Sequence, residues 1–195
     1  MMNHRLIYVC GPSGAGKDTL LQWLRQHLPA GLPLHWARRT ITRPATADAE
    51  DYESLSAEAF AALSDQGAFG LQWEANRLRY GIRQAELAPL AAGDWVVVNG
   101  SRAHLPQAAA QYPGLVAVHL TASPDTLRQR LLARGRETPE VIEERVRRAV
   151  AFTPPTGSTV IEVRNDSTVD AAGQTLLAGL RALPGWPEPT ASAHG

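Results

Sequence analysis

The chain has a single cysteine, Cys10, in 195 residues. That excludes an internal disulfide, and a lone thiol fits a reducing compartment. No apolar run approaches the ~18 residues of a membrane span. The start, Met1-Met2-Asn3-His4-Arg5, lacks the apolar core of a signal peptide. We therefore expect a cytoplasmic protein with no membrane partner. Net charge is also missing, because Lys plus Arg (19) balances Asp plus Glu (19). The basic residues cluster locally, from Arg38 to Arg43 and from Arg128 to Arg148, without the aromatic interleaving of a nucleic-acid surface. No nucleic-acid partner is expected. The histidines at 4, 27, 35, 104, 119 and 194 never fall at metal-ligand spacing, which argues against zinc. Nothing in the sequence specifies an oligomeric state.

What is present is the pattern of an α/β protein. Leu6-Ile7-Tyr8-Val9-Cys10 is a short apolar run ended by Gly11-Pro12, as expected of a strand buried on both faces. Cys10 reads as a small buried apolar residue. After a glycine-rich loop, Leu20, Leu21, Leu24 and Leu28 repeat at helical spacing until Pro29. Segments 95–98, 115–120 and 159–163 are further buried strands with helices between them. Ser123-Pro124-Asp125 and Thr138-Pro139-Glu140 each supply an N-cap, a first-turn proline and an acid near the helix dipole. Alternating strands and helices imply a three-layer α/β/α domain around a parallel sheet.

The stretch from about Trp36 to Ile82 breaks that rhythm with a polar Arg/Thr run, an acidic turn, a short helix near 56–66 and two aromatic segments. We expect one domain over 1–183, with its core in 1–35 and 83–183 and an inserted acceptor-binding subdomain at about 36–82. An arginine-bearing lid is expected at about 134–140. The Pro/Ala/Ser-rich residues 184–195 are expected to form a disordered tail.

Gly11-Pro12-Ser13-Gly14-Ala15-Gly16-Lys17 is a phosphate-binding loop. Its glycines let backbone N–H groups face a phosphate chain, and Lys17 adds a mobile cation for the outer phosphates. Strand before and helix after are the context such a loop needs. Ser or Thr usually follows the lysine and coordinates Mg²⁺, but here Asp18 does, with Thr19 next. Asp18 has two readings: a carboxylate that holds the ion, or an acid that favours the helix N-terminus. The loop implies ATP with Mg²⁺ as the donor.

These residues resemble the guanylate kinase family. Gly11–Lys17 matches its loop, Thr40–Pro44 its acceptor segment, and Arg134-Gly135-Arg136 its lid, with Arg145 and Arg148 on the following helix. Glu50-Asp51-Tyr52, Phe69–Trp73 and Tyr80-Gly81 match its acceptor subdomain, and Asn165-Asp166 resembles the segment beside adenine, although Asn-Asp after a strand is commonly just a turn. Departures gather on guanine reading. The family's glutamate before the tryptophan is Gln72, its Ser/Thr after Tyr-Gly is Ile82, and its Asp-Trp-Gln-Gly segment is Asn99-Gly100-Ser101-Arg102. A second acceptor arginine after Pro44 is absent. Sites that lose such groups lose large factors in specificity.

Three segments instead resemble the ribose 1,5-bisphosphate phosphokinase branch of phosphonate breakdown: Gly16-Lys17-Asp18, Arg39-Thr40-Ile41-Thr42-Arg43-Pro44 and Val98-Asn99-Gly100-Ser101-Arg102-Ala103. That resemblance implies transfer of the γ-phosphoryl group of ATP to the sugar 1-phosphate. The alternatives are a guanylate or other nucleoside monophosphate kinase and a non-catalytic interaction module, although the latter typically loses the loop.

An acceptor phosphate is already anionic, so no general base is required, only alignment and neutralised charge. Arginine's planar fork suits that task. We expect Arg39, Arg43, Tyr80, Asn99 and Arg102 at the acceptor. Lys17, Arg134, Arg136, Arg145 and Arg148 are expected on the transferring group. The ATP set is Gly11, Pro12, Ser13, Gly14, Ala15, Gly16, Lys17, Asp18, Thr19 and Asn165. Arg145 and Arg148 should share a helix face, with Val146 and Val150 on the buried side. Trp73 and Trp95 read as core. The acidic run Asp48, Glu50, Asp51 and Glu53 is either a solvated loop or a set that positions sugar or metal.

Overall fold

The computed structural model describes residues 5–44, 51–135, 137–155 and 158–187. In chain order the elements are β1 (Leu6–Cys10), α1 (Lys17–His27), β2 (Leu34–Trp36), β3 (Arg39–Ile41), β4 (Tyr52–Ser54), α2 (Ala57–Asp65), β5 (Phe69–Ala75) and β6 (Leu78–Arg83). There follow α3 (Gln84–Leu87), α4 (Pro89–Ala92), β7 (Trp95–Asn99), α5 (Leu105–Gln111) and β8 (Val116–Thr121). The last are α6 (Pro124–Arg134), α7 (Pro139–Val150), β9 (Thr159–Arg164) and α8 (Val169–Arg181). Among the described residues no helix is long and apolar enough to cross a membrane.

The central sheet has the order β2-β7-β1-β8-β9, and every pair in it is parallel. Strand alternation divides its side chains between two cores. Ile7, Val9, Trp95, Val97, Val118 and Leu120 face a cluster completed by Leu20, Leu24, Leu127, Ile142 and Leu176 from α1, α6, α7 and α8. Leu6, Tyr8, Cys10, Val96, Val98 and Ala117 face the opposite cluster with Leu105 and Ala108 of α5. Both faces are covered, which is why these strands read as unbroken apolar runs. Each fully buried aliphatic chain, such as Leu20 at 0% exposure, contributes roughly 1.5–3 kcal/mol by leaving water.

The insertion forms its own sheet, β4-β3-β6-β5, in which β3 and β4 are parallel and the other pairs antiparallel. Its Ile41, Tyr52, Leu71, Trp73, Tyr80 and Ile82 join the α5-side cluster, so the two sheets share one core. The sequence boundary needs one adjustment. Trp36 belongs to β2 and pairs with Val97 in the central sheet, so the insertion begins after it.

Other expectations also shift. Ser123 caps α6 through the Thr126 N–H at 3.2 Å, whereas Thr138 sits at the start of α7 without capping it through its side chain. On α7 the buried residues are Ile142 and Val146, while Val150 is 67% exposed because the helix ends there. Pro184–Pro187 is not a loose tail. Trp186 packs edge-on against Trp95 at 5.1 Å, and the Trp95 indole donates to the Gly185 carbonyl at 3.2 Å. Residues 188–195 lie outside the described residues.

Cys10 is fully buried and its thiol is pushed up to about 12 by burial. Since the thiolate is the reactive form, native protein at about pH 8 is expected to resist iodoacetamide and to label fully in denaturant. Rapid native labelling, read by intact mass, would contradict the burial.

Candidate active site

Parallel α/β sheets place ligand sites at the carboxyl ends of their strands, where the chain order changes direction. Here that point is the end of β1, between β7 and β8. Gly11 leaves β1 against β8, where a Cβ would stand 2.6 Å from the Leu120 carbonyl oxygen. Gly16, at φ 89°, holds the left-handed conformation that starts α1. The loop is braced from below by Asn165, whose Nδ2 donates to the Ala15 carbonyl at 2.8 Å. Asn165 is 5% exposed, lines neither of the two cavities described next, and supports the loop.

Two cavities meet over this loop. One, of about 520 Å³, is lined by Pro12, Ser13, Gly14, Gly16, Lys17, Asp18 and Thr19 together with Arg43, Arg134 and Glu137. The other, of about 590 Å³, runs from Gly11 to Trp73 and Glu74 on the insertion, the Gly100–Ala103 segment after β7, and Arg148 and Phe152 at the end of α7. They share Ser13, Lys17, Arg39, Asn76, Tyr80 and Arg145. A continuous chamber thus passes from loop to insertion, and its shared waist carries the Lys17, Arg39 and Arg145 cations.

Each cation is held differently. The Lys17 ammonium donates weakly to the Gly11 carbonyl at 3.4 Å, and burial lowers its pKa. Arg39 lies over the Tyr80 ring at 5.4 Å and Arg43 over the Tyr52 ring at 4.4 Å. Arg43 Nε also donates to the Tyr52 hydroxyl at 3.2 Å. Arg102 sits over Phe152 at 5.5 Å and points at the last carbonyls of α7. Burial lowers its pKa as well. Arg145 reaches across to Ser13 Oγ at 2.8 Å and pairs with Glu137. Arg148 is exposed beside Glu144 at 3.4 Å. Arg134 ends α6 at the cavity edge; Arg136 lies outside the described residues.

Asn99 is placed differently from expectation. Its Nδ2 donates to Asp18 Oδ1 at 2.8 Å, and it lines neither cavity. Two of the distinctive segments therefore touch: Asn99 orients the carboxylate that follows Lys17. The acidic run also resolves in part. Asp51 pairs with Arg38, and Glu53 takes two bonds from Arg83 and one from Thr40, so neither is presented to the chamber. Asp48 and Glu50 lie outside the described residues. Among the described residues no group of three or more His, Cys, Asp or Glu could hold a metal ion. Asp18 is the carboxylate of the loop itself, and Glu137, the other carboxylate lining that cavity, is paired with Arg145.

Several contributors were not foreseen. Arg130 donates to the Gly14 carbonyl at 3.3 Å, Glu137 engages Arg145, and Trp73 reaches the cavity at its edge. Asn76 and Arg77 turn the β5–β6 hairpin at φ 52° and 63°, which brings Asn76 to the chamber. An Asn between two alternating aromatic segments was the available signal for that turn. Two of the positions where guanine reading is lost, Gln72 and Ile82, do not line either cavity, whereas Gly100–Arg102 does. Gln72 is exposed and accepts from the Ser64 hydroxyl at 2.8 Å, and Ile82 is fully buried.

Comparison with known proteins agrees with this architecture. An AAA domain family model matches residues 7–151. The chain is 43% identical to the ribose 1,5-bisphosphate phosphokinase PhnN of Burkholderia mallei, over 94% of this chain and 98% of that one. It is 48% identical to the Chromobacterium violaceum protein of the same name, over 90% and 93%. Among solved structures, guanylate kinase from Anaplasma phagocytophilum superposes with a TM-score of 0.60 at 16% identity, over 93% of this chain and 87% of that one. An unliganded sugar kinase from a Janibacter species gives 0.52 at 15% identity, over 91% and 94%. The last two concern fold alone. With a nucleotide-binding P-loop, a parallel five-stranded core and relatives this similar over nearly its whole length, the chain belongs to the ribose 1,5-bisphosphate phosphokinase family.

Proposed function

We propose that this protein transfers the γ-phosphoryl group of ATP to the 1-phosphate of ribose 1,5-bisphosphate, giving 5-phospho-α-D-ribose 1-diphosphate and ADP, in phosphonate breakdown. The carrying observation is the continuous chamber, with cations at its waist and no polar group from Gln72 or Ile82 to read a purine. A small doubly phosphorylated sugar matches such a space better than a nucleobase does. A cytoplasmic location fits both reactants and the free thiol.

In this reading the loop-side cavity takes the ATP phosphates and the insertion-side cavity the acceptor. Backbone N–H groups of residues 13–18 hold the β- and γ-phosphates, while Lys17 follows the charge that moves between them. Asp18 would hold Mg²⁺, directly or through water, and the ion would supply the remaining neutralisation of the phosphate chain. Arg39 grips the acceptor phosphates at the waist, with Arg43 on its loop side, and Arg102 closes the far side. An oxygen of the 1-phosphate attacks the γ-phosphorus, the bond to the bridging oxygen of ADP breaks, and no proton need leave the acceptor. Arg134, Arg136, Arg145 and Arg148 form a lid-side set on the transferring group. Arg145 exchanges Glu137 for phosphate as the site fills.

The test is a kinase assay with ATP and Mg²⁺ in which ribose 1,5-bisphosphate competes with GMP and products are read by ³¹P NMR. The expected product carries a pentosyl diphosphate signal, with little GDP. A strong preference for GMP would overturn the acceptor while leaving a P-loop kinase.

A further inference from the structure

The insertion-side cavity has two walls that come from different sheets, and one side chain outside the cavity touches both supports. His104, 5% exposed, precedes α5. Its Nδ1 stands 3.0 Å from the Tyr8 hydroxyl, which in turn accepts the Ser101 N–H at 3.0 Å. Through Tyr8 it therefore anchors the Gly100–Ala103 segment that carries Arg102. The other face of the imidazole stacks on Trp73 at 5.2 Å and 21°. Trp73 stacks on Tyr80, its cross-strand partner, at 5.5 Å and 4°, and Arg39 lies over Tyr80. The order is His104, Trp73, Tyr80, Arg39: a ladder that ends in an acceptor-side cation. Trp73 lines the cavity at its edge and is 9% exposed.

We propose that His104 is a positioning residue that sets the spacing between the Arg39 wall and the Arg102 wall, and so sets affinity for the acceptor without touching it. This rests on the insertion-side cavity being the acceptor site. Burial alone would make His104 a structural residue, but its two contacts lead to two arginines of the insertion-side cavity, Arg39 at the waist shared with the loop side and Arg102 on the insertion side alone. Burial also lowers its pKa, which favours the neutral ring.

Steady-state kinetics on the intact protein test it. His104→Ala is expected to raise the KM for ribose 1,5-bisphosphate about tenfold, as a small misplacement of aligned groups does, and to leave the KM for ATP within about twofold. His104→Asn keeps an acceptor near Nδ1 and loses the stack; His104→Phe keeps the stack and loses the acceptor. Each is expected to recover part of the loss. Tyr8→Phe removes only the hydroxyl and is expected to match His104→Phe, which keeps the test usable where His104→Ala melts too low. Unchanged acceptor KM in His104→Ala and Tyr8→Phe, or equal rises in both KM values, overturns the inference. A wild-type enzyme that fails to phosphorylate the bisphosphate instead defeats the functional reading beneath it.

Discussion

Replacing Lys17 with alanine is expected to stop phosphoryl transfer while leaving the protein folded. The ammonium sits where the two cavities meet and, among the described residues, hydrogen-bonds through the long contact to the Gly11 carbonyl. Burial lowers its pKa, with Asp18 as the largest opposing influence. A half-buried cation with so little local compensation is costly to the empty protein and is relieved when phosphate arrives. Its removal should therefore cost catalysis and not stability. Single cations on a transferring phosphoryl group are worth about 10³-fold or more in turnover, so kcat should fall by at least that order. The melting temperature should stay level or rise. Retained turnover in Lys17→Ala would contradict the placement of ATP on the loop, and a large loss of melting temperature would contradict the energetic account.

The largest effect on stability is expected at Gly100. A Cβ there would stand 2.1, 2.4 and 2.5 Å from three atoms at the hydroxyl end of the Tyr8 ring. Tyr8 is fully buried, and its hydroxyl is engaged by Ser101 and His104. Neither the ring nor the loop has room to yield. Overpacking of this kind costs about 3 kcal/mol, or roughly 6–12 °C of melting temperature in a chain of this size. Gly100→Ala should show that loss in a thermal melt, together with a raised acceptor KM. In a double-mutant cycle with Tyr8→Ala, Gly100→Ala should cost much less, since the two sites share one space. A near-normal melt for Gly100→Ala would mean that the segment does not rest on Tyr8.

The donor half of the site was legible because a phosphate loop is a local device. A strand, closely spaced glycines, a lysine and an amphipathic helix follow one another directly, so residues 6–28 predict both their own shape and their ligand. The central strands were legible for a similar reason. Burial on both sheet faces leaves continuous apolar runs, and these match β1, β7, β8 and β9 within a residue or two. The insertion was visible as a break in rhythm, but its sheet was not. Its strands β3 and β4 hold three residues each, too few for a period to register.

The acceptor half depends on contacts between distant segments, and there single-residue expectations moved. Asn165 pairs with Ala15 across |i−j| of 150, and Asn99 with Asp18 across 81. A residue's type shows that it can hydrogen-bond, but not whether its partner will be a ligand or a loop. Val150 likewise reads as buried by spacing and is exposed because α7 stops there.

The sequence by itself determined the fold class, the phosphate loop, the absence of an internal disulfide and, through three short segments, the expected acceptor. Those properties arise from neighbours in the chain or from composition. Only the tertiary structure decided that Asp18 is held by Asn99, that Arg145 waits between Ser13 and Glu137, and that His104 joins the two walls of one cavity. Each joins groups from separate loops or strands, and packing of the insertion against the central sheet and of α7 over the loop is what brings them within hydrogen-bond or stacking distance.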